Sequence, residues 1–239
     1  DNLSNGRLEN IPPSARFYRA DIRNAAALER IFTRERPALV SHQAALVDVR
    51  QSLACPDAYA SVNILGTLRV LDAARKHGVR KVIFASLHGR RDIRRGQPAA
   101  HTGGRRGAPA GLLWAEQIGR GAIHTSILAS FWPGLLHNAN VYGPRQRAEG
   151  EAGVVAVLAH RMLRGLPVTI NGDGGQTRDF VYVEDVARAN LLAAQRGSGI
   201  YNVGSGVATS IQALFDQLAK LIGYSLPANY GPPKPGEVR

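Results

Sequence analysis

Apolar residues recur along this chain with two different periods. Three short runs, at residues 38–40, 81–86 and, more weakly, 167–170, are rich in branched and aromatic side chains, as buried strands are. Elsewhere the period lengthens to that of a helix. Residues 25–35 follow the turn-forming Asp21 and Asn24 and predict one. Residues 59–76 predict a second, with Val62, Leu65, Leu68, Leu71 and Ala74 on one face before His77-Gly78 closes it. Further helices are predicted over 154–163, 183–194 and 211–222, whereas 227–239, rich in proline and glycine, reads as an extended loop. A helix–strand–helix–strand rhythm implies right-handed crossovers and a parallel sheet covered on both faces, which is the doubly wound α/β class.

Composition adds limits. At 239 residues the chain is long enough for a proper core. It contains no apolar run of membrane-spanning length, and its first ten residues are polar, so no membrane association is expected. Cys55 is the only cysteine, which excludes an internal disulfide and fits a reducing, cytoplasmic compartment. No metal-ligand spacing is present. The formal net charge of +12 raises the question of a polyanionic partner. Its distribution answers otherwise. Between Leu87 and His137 seven arginines face only Asp92 and Glu116, and the stretch holds both tryptophans and four of the seven histidines, with no tyrosine or lysine. That segment is compositionally foreign to its flanks, and the charge is no reason to expect nucleic acid.

Chemistry enters through a series of short motifs. Asp1-Asn2-Leu3-Ser4-Asn5-Gly6 is a polar, turn-forming opening, as found after a strand inside a domain. It is followed in order by Tyr18-Arg19-Ala20-Asp21-Ile22-Arg23, His42-Gln43-Ala44-Ala45, Val62-Asn63-Ile64-Leu65-Gly66-Thr67 and Lys81-Val82-Ile83-Phe84-Ala85-Ser86. These resemble the extended short-chain dehydrogenase/reductase family, the NAD-dependent epimerases and dehydratases. Asn140-Val141-Tyr142-Gly143-Pro144-Arg145-Gln146 and the run from Gly172 through Gln176-Thr177-Arg178-Asp179 to Val183 resemble its UDP-glucose 4-epimerase-like branch. Each motif alone is weak, but six in order are specific. The resemblance covers residues 1–86 and 138–239.

The resemblance implies a Rossmann-like sheet, incomplete at its N-terminus, with a smaller C-terminal part. Residues 1–140 and about 179–197 would bind NAD, and residues 141–178 and 198–239 the nucleotide sugar. Asp1 and Asn2 would contact the NAD ribose, Asp21 and Ile22 the adenine, Ala44 and Ala45 the pyrophosphate side, and Asn63 the wall of the nicotinamide pocket. An acid at Asp1 favours NAD over NADP, because a 2′-phosphate would meet a negative charge. Asn140 and Arg178 would hold the nucleotide diphosphate, a role that suits a guanidinium fork. Lys234 and Glu237, in Pro233-Lys234-Pro235-Gly236-Glu237, match the pattern that closes over the nucleotide, with lysine in place of the commoner arginine. Other readings of the same residues are structural: Asn63 as a buried amide, Arg178-Asp179 as an ion pair, His42 as support for its loop. A homodimer is implied by the family.

The chain departs from the family in two places. The glycine-rich turn that follows the first strand is absent, and its place lies before Asp1, so about thirty residues are expected to precede this sequence. The catalytic groups are also missing. The family uses Ser or Thr after the strand ending at Ser86, where Leu87 stands, and a Tyr-x-x-x-Lys on the helix that follows, whereas the one tyrosine here with a lysine four positions on, Tyr230 before Lys234, lies in the proline- and glycine-rich tail. In that pair the lysine charge lowers the phenol pKa so that the phenolate accepts a proton from the sugar hydroxyl.

One explanation covers both the foreign composition and the missing groups. Degenerate codons for residues 87–95, read one nucleotide later, permit Ser-Thr-Gly-Gly-Ala-Ile-Tyr-Gly-Glu. Residues 113–117 permit Tyr-Gly-Leu-Ser-Lys, and residues 131–135 permit Phe-Gly-Leu-Asp-Tyr. Trp114 has a single codon, and its last two bases with the first of Ala115 read Gly. The segment from about Leu87 to about Leu136 is therefore expected to be frame-shifted. The expected function is an NAD-dependent nucleotide-sugar epimerase, inactive with this sequence. A nucleotide-sugar 4,6-dehydratase and a non-catalytic nucleotide-sugar binding module are the alternatives, and a basic nucleic-acid binder rests on net charge alone.

Overall fold

The computed structural model describes residues 1–87, 135–149, 153–196 and 199–233. These fall into two compact units, Asp1–His137 with Asn190–Tyr201, and Asn138–Ala189 with Asn202–Arg239.

In the first unit helix α1 covers Ala25–Glu35. The Asn24 side chain caps it by accepting the Ala27 amide hydrogen, and it stops where Arg36 turns left-handed at φ 42°. Strand β1 is Leu39–His42, followed by the short helices α2 (Val49–Ala54) and α3 (Pro56–Ala60). A π-helical turn, Ser61–Gly66, leads into α4, Thr67–Lys76, and then β2, Lys81–Leu87. The two strands pair in parallel, Leu39 beside Lys81 through His42 beside Phe84, as the rhythm of the sequence predicts. With β3 (Leu135–Asn138) and β7 (Ile200–Val203) they form a sheet of order β1-β2-β3-β7. Leu28 and Phe32 of α1, Val70, Leu71 and Ala74 of α4, and Val82 and Phe84 of β2 make one core. Each large side chain buried there stabilises the fold by about 1.5–3 kcal/mol.

The predicted helix over 59–76 is corrected by the π-helical turn. Leu65, expected on the buried face, is 52% exposed, and the inward positions become Asn63, Gly66, Thr67 and Val70. A π-turn places one extra residue in the turn, which resets the inward stripe by about 100°, one residue's worth of rotation. Leu71 and Ala74, beyond the turn, face inward as expected.

In the second unit β4 (Asn140–Tyr142) pairs in parallel with β6 (Thr177–Tyr182), which pairs antiparallel with β8 (Ala208–Ser210). Helices α5 (Val154–Leu163), α6 (Val183–Gln195) and α7 (Ile211–Ile222) lie where the sequence predicts them. The predicted strand at 167–170 is β5, Thr169–Asn171. The tail is not wholly a loop, because Asn229–Gly231 forms β9 and pairs in parallel with β5. Leu158 and Met162 of α5, Ile170, and Ile211, Leu214 and Phe215 of α7 form this unit's core.

Candidate functional site

On the first unit the opening motif folds back on the segment that ends in Asp21. The Ala20 amide donates to the Asp1 carbonyl at 3.1 Å, and the Asn2 side-chain amide donates to Asp21 Oδ2 at 3.1 Å. Asp1 Oδ1 accepts from the Leu3 amide at 2.5 Å, and Asn2 Oδ1 from that of Ser4 at 3.0 Å, so two successive side chains shape the turn. Asp1, Asn2 and Asp21 are thereby gathered into one polar cluster. The Arg23 guanidinium grips Asp21 through Nε and Nη2, at 3.0 and 2.8 Å, and holds its carboxyl well below the usual carboxylate range. Arg23 N–H and Asn2 add to the same shift. Beside this cluster an open depression is lined by Asp21, Arg23, Asn24, Ala25 and Arg69. Ile22 turns away from it and packs on Gly66, where an added Cβ would lie 2.6 Å from Ile22 Cδ1.

Ala44 and Ala45 are exposed just past the carboxyl end of β1, the edge at which open parallel sheets take ligands. Asn63 lies under them. It is 1% exposed, its Oδ1 accepts from the Leu46 amide at 2.8 Å, and its Nδ2 donates to the Leu46 carbonyl at 2.9 Å. The side chain thus pairs with Leu46 as a neighbouring strand would, and it shapes the loop rather than forming an open wall. Thr67 donates to the Asn63 carbonyl at 2.7 Å and lies 3.0 Å from His42 Nε2. The part played by Thr67 was not foreseen, although the spacing Asn63, Gly66, Thr67 was visible as a motif.

On the second unit Asn140 stands beside Phe180 in the β4–β6 register, and Arg178 lies two residues before Phe180. Side chains alternate along a strand, so Asn140, Arg178 and Phe180 share one face of the sheet. Arg178 Nη1 donates to the Thr177 carbonyl at 2.8 Å. Its neighbour Asp179 has a task no motif announced. Its Oδ1 accepts from the Ser205 amide and hydroxyl, at 2.9 and 2.6 Å, and its Oδ2 from the Gly206 amide at 2.9 Å. Gly204 is required there, since a Cβ would come within 2.5 Å of the same carboxylate. Gly143 is equally constrained: at φ 148° its Cβ would meet Val183 Cγ1 at 2.5 Å. Lys234 and Glu237, and most of the segment expected to be frame-shifted, lie outside the described residues. Among the described residues no group of three His, Cys, Asp or Glu could hold a metal, and no helix is long and apolar enough to cross a membrane.

Comparison with known proteins gives a consistent result. Residues 1–87 and 133–204 match the model described as the NAD dependent epimerase/dehydratase family, and the match passes over the foreign segment. UDP-glucose 4-epimerase of Mycolicibacterium smegmatis is 34% identical over 249 residues, covering 100% of this chain and 79% of that protein. The structure of UDP-glucose 4-epimerase from Thermotoga maritima with UDP-glucose superposes at a TM-score of 0.90 with 39% identity, covering 100% of this chain and 78% of the other. That of Thermus thermophilus UDP-glucose 4-epimerase in complex with NAD gives 0.86 and 39%, covering 100% and 79%. The Rossmann-like α/β class expected from the sequence is therefore shown.

Proposed function

The chain belongs to the NAD-dependent epimerase/dehydratase family, and we propose that it carries the binding surfaces for inverting C4 of a UDP-hexose of the glucose–galactose pair. The observation that carries this reading is the cluster of Asp1, Asn2 and Asp21, drawn together from positions nineteen and twenty residues apart. Such acids suit an adenosine, whose ribose hydroxyls and exocyclic amine are donors. Asp1 fits this use: Oδ1 accepts the Leu3 amide, and among the described residues Oδ2 has no donor. NAD, the cofactor of the family, would when bound supply a reversible acceptor for hydride from the sugar carbon.

This chain's own residues would then act as follows. Asp1 accepts from the ribose hydroxyls, and Asp21, kept ionised by Arg23, accepts from the adenine amine. Ala44 and Ala45, having small side chains, let the loop backbone approach the pyrophosphate. Asn140 and Arg178 bind the diphosphate of the sugar nucleotide, so the first unit takes the cofactor and the second the substrate. Two copies pair as a dimer, and a cytoplasmic setting agrees with the single Cys55.

The one tyrosine followed by lysine four residues later, Tyr230, lies on β9 of the second unit and not on a helix that follows β2, so the family's base for the sugar hydroxyl proton is missing from its place in the motif order. The test compares this chain with a frame-corrected version joined to the glycine-rich turn of the family. The corrected protein is expected to convert UDP-galactose to UDP-glucose, and the present chain to bind UDP without turnover. Turnover by the present chain refutes the assignment of a missing base, and absence of UDP binding by either refutes the substrate. Loss of water from the sugar in the same assay would point to the dehydratase instead.

A further inference from the structure

Three buried polar side chains run in series beneath the loop 44–46. Asn63 holds both backbone groups of Leu46, at 2.8 and 2.9 Å. Thr67 Oγ1 reaches back to the Asn63 carbonyl at 2.7 Å, bracing the π-helical turn that aims Asn63 inward. His42 Nε2, at the carboxyl end of β1, lies 3.0 Å from that same hydroxyl oxygen. A threonine hydroxyl has one hydrogen, and here it goes to the Asn63 carbonyl, so the bond to His42 is donated by the ring. The imidazole therefore carries its proton on Nε2. His42 is 4% exposed and Thr67 1%, so a lost bond is not replaced by bulk water. What the polar series adds is direction, because it ties the loop to β1 and to α4 at once and leaves it one conformation.

We propose that His42 and Thr67 are positioning residues for the cofactor, acting through Asn63 to hold the loop 44–46 in the shape that receives the dinucleotide. Neither side chain touches NAD. The proposal rests on the reading of that loop as the pyrophosphate side of the site.

Thr67→Val removes the hydroxyl and keeps the branched shape, Thr67→Ser restores the hydroxyl, and His42→Phe removes the donor while keeping a ring against Phe84, whose centroid lies 5.3 Å away. Two quantities are read: hydrogen exchange at the Leu46 amide, and affinities for NAD and for adenosine. Thr67→Val is expected to speed Leu46 exchange and weaken NAD by about tenfold, the effect of one buried hydrogen bond. Amides of α1 and the affinity for adenosine, which reaches only Asp1 and Asp21, should stay at parental values. Thr67→Ser should recover both quantities, and His42→Phe should repeat the loss. Parental Leu46 exchange in both Thr67→Val and His42→Phe overturns the proposal. So does a uniform loss, in which adenosine binding and α1 exchange change with the rest, since that marks a general role in folding. If Thr67→Val does not fold, His42→Phe decides alone. A parent chain that binds no NAD would refute the cofactor reading, while Leu46 exchange would still judge the series.

Discussion

Two loops of this molecule are held in opposite ways. The loop 44–46 of the first unit is fixed from below by Asn63, a neutral amide with 1% of its surface exposed. The turn 204–206 of the second unit is fixed from the side by Asp179, a carboxylate whose hydrogen bonds lie open to solvent. Water can take over the second set of bonds when they break and reaches the half-buried first set less easily. The buried clamp therefore dictates a single loop shape, whereas the exposed one only biases it. The neutral group is also the one that is buried, as expected where an unpaired charge would be far more costly than an amide.

The largest effect is expected from Asn63→Leu, which leaves the amide and carbonyl of Leu46 without their partners. A loss of about 2–4 kcal/mol of stability follows from two unsatisfied groups, and denaturant titration measures it. If the loss is under about 0.5 kcal/mol, the buried clamp is no stronger than a surface contact and the comparison breaks. Next is Arg178→Ala, expected to weaken UDP binding by about 1.5–3 kcal/mol, the range of a hydrogen bond to a charged group. Calorimetry with UDP tests it, and unchanged affinity removes Arg178 from the site. Asp179→Ala should cost a smaller amount, about 1–2 kcal/mol, because solvent replaces its bonds to Ser205 and Gly206. A loss equal to that of Asn63→Leu would show that exposure makes no difference here.

The smallest effect is tied to pH. Asp21 has its folded pKa pushed down, chiefly by the Arg23 guanidinium, so its contribution is fully present above the ordinary carboxylate pKa and fades as pH falls through the lowered folded value. Asp21→Asn should therefore lower the melting midpoint slightly at neutral pH. The gap from the parent should close only in strong acid. A gap that widens on acidification would reverse the sign and exclude this ion pair as its source.

Much of this was legible from residue order. The helices at 25–35, 154–163 and 211–222 carry a regular apolar stripe and a recognisable start, Asn24 before the first and Ser210 before the last, and they form with those bounds. The motifs were legible as words but not as roles. Asn63, Gly66, Gly143 and Gly204 proved to be places where backbone is held or closely approached. A single sequence does not show this, because an amide that contacts a ligand and one that contacts Leu46 are the same letter. β3, β4 and β6 to β9 escape a reading by period: all but β6 have only three or four residues, and β6 begins with the polar run Thr177-Arg178-Asp179.

By itself the sequence determined the α/β class, the order of the longer helices and of three strands, the family and the residue types available for chemistry, since these depend on local periodicity and on motifs contiguous along the chain. Only the tertiary structure decided which residues of a motif face inward. One extra residue in the turn Ser61–Gly66 rotates Leu65 out and brings Asn63, Gly66 and Thr67 in, and no local propensity records that rotation. It likewise decided that Asn2 meets Asp21 and that Asp179 meets the turn 204–206. The physical reason is common to all three: a hydrogen bond between residues nineteen or more apart, or a packed face chosen by its neighbours, becomes favourable only after the rest of the fold has brought the partners together and met the cost of closing the loop between them.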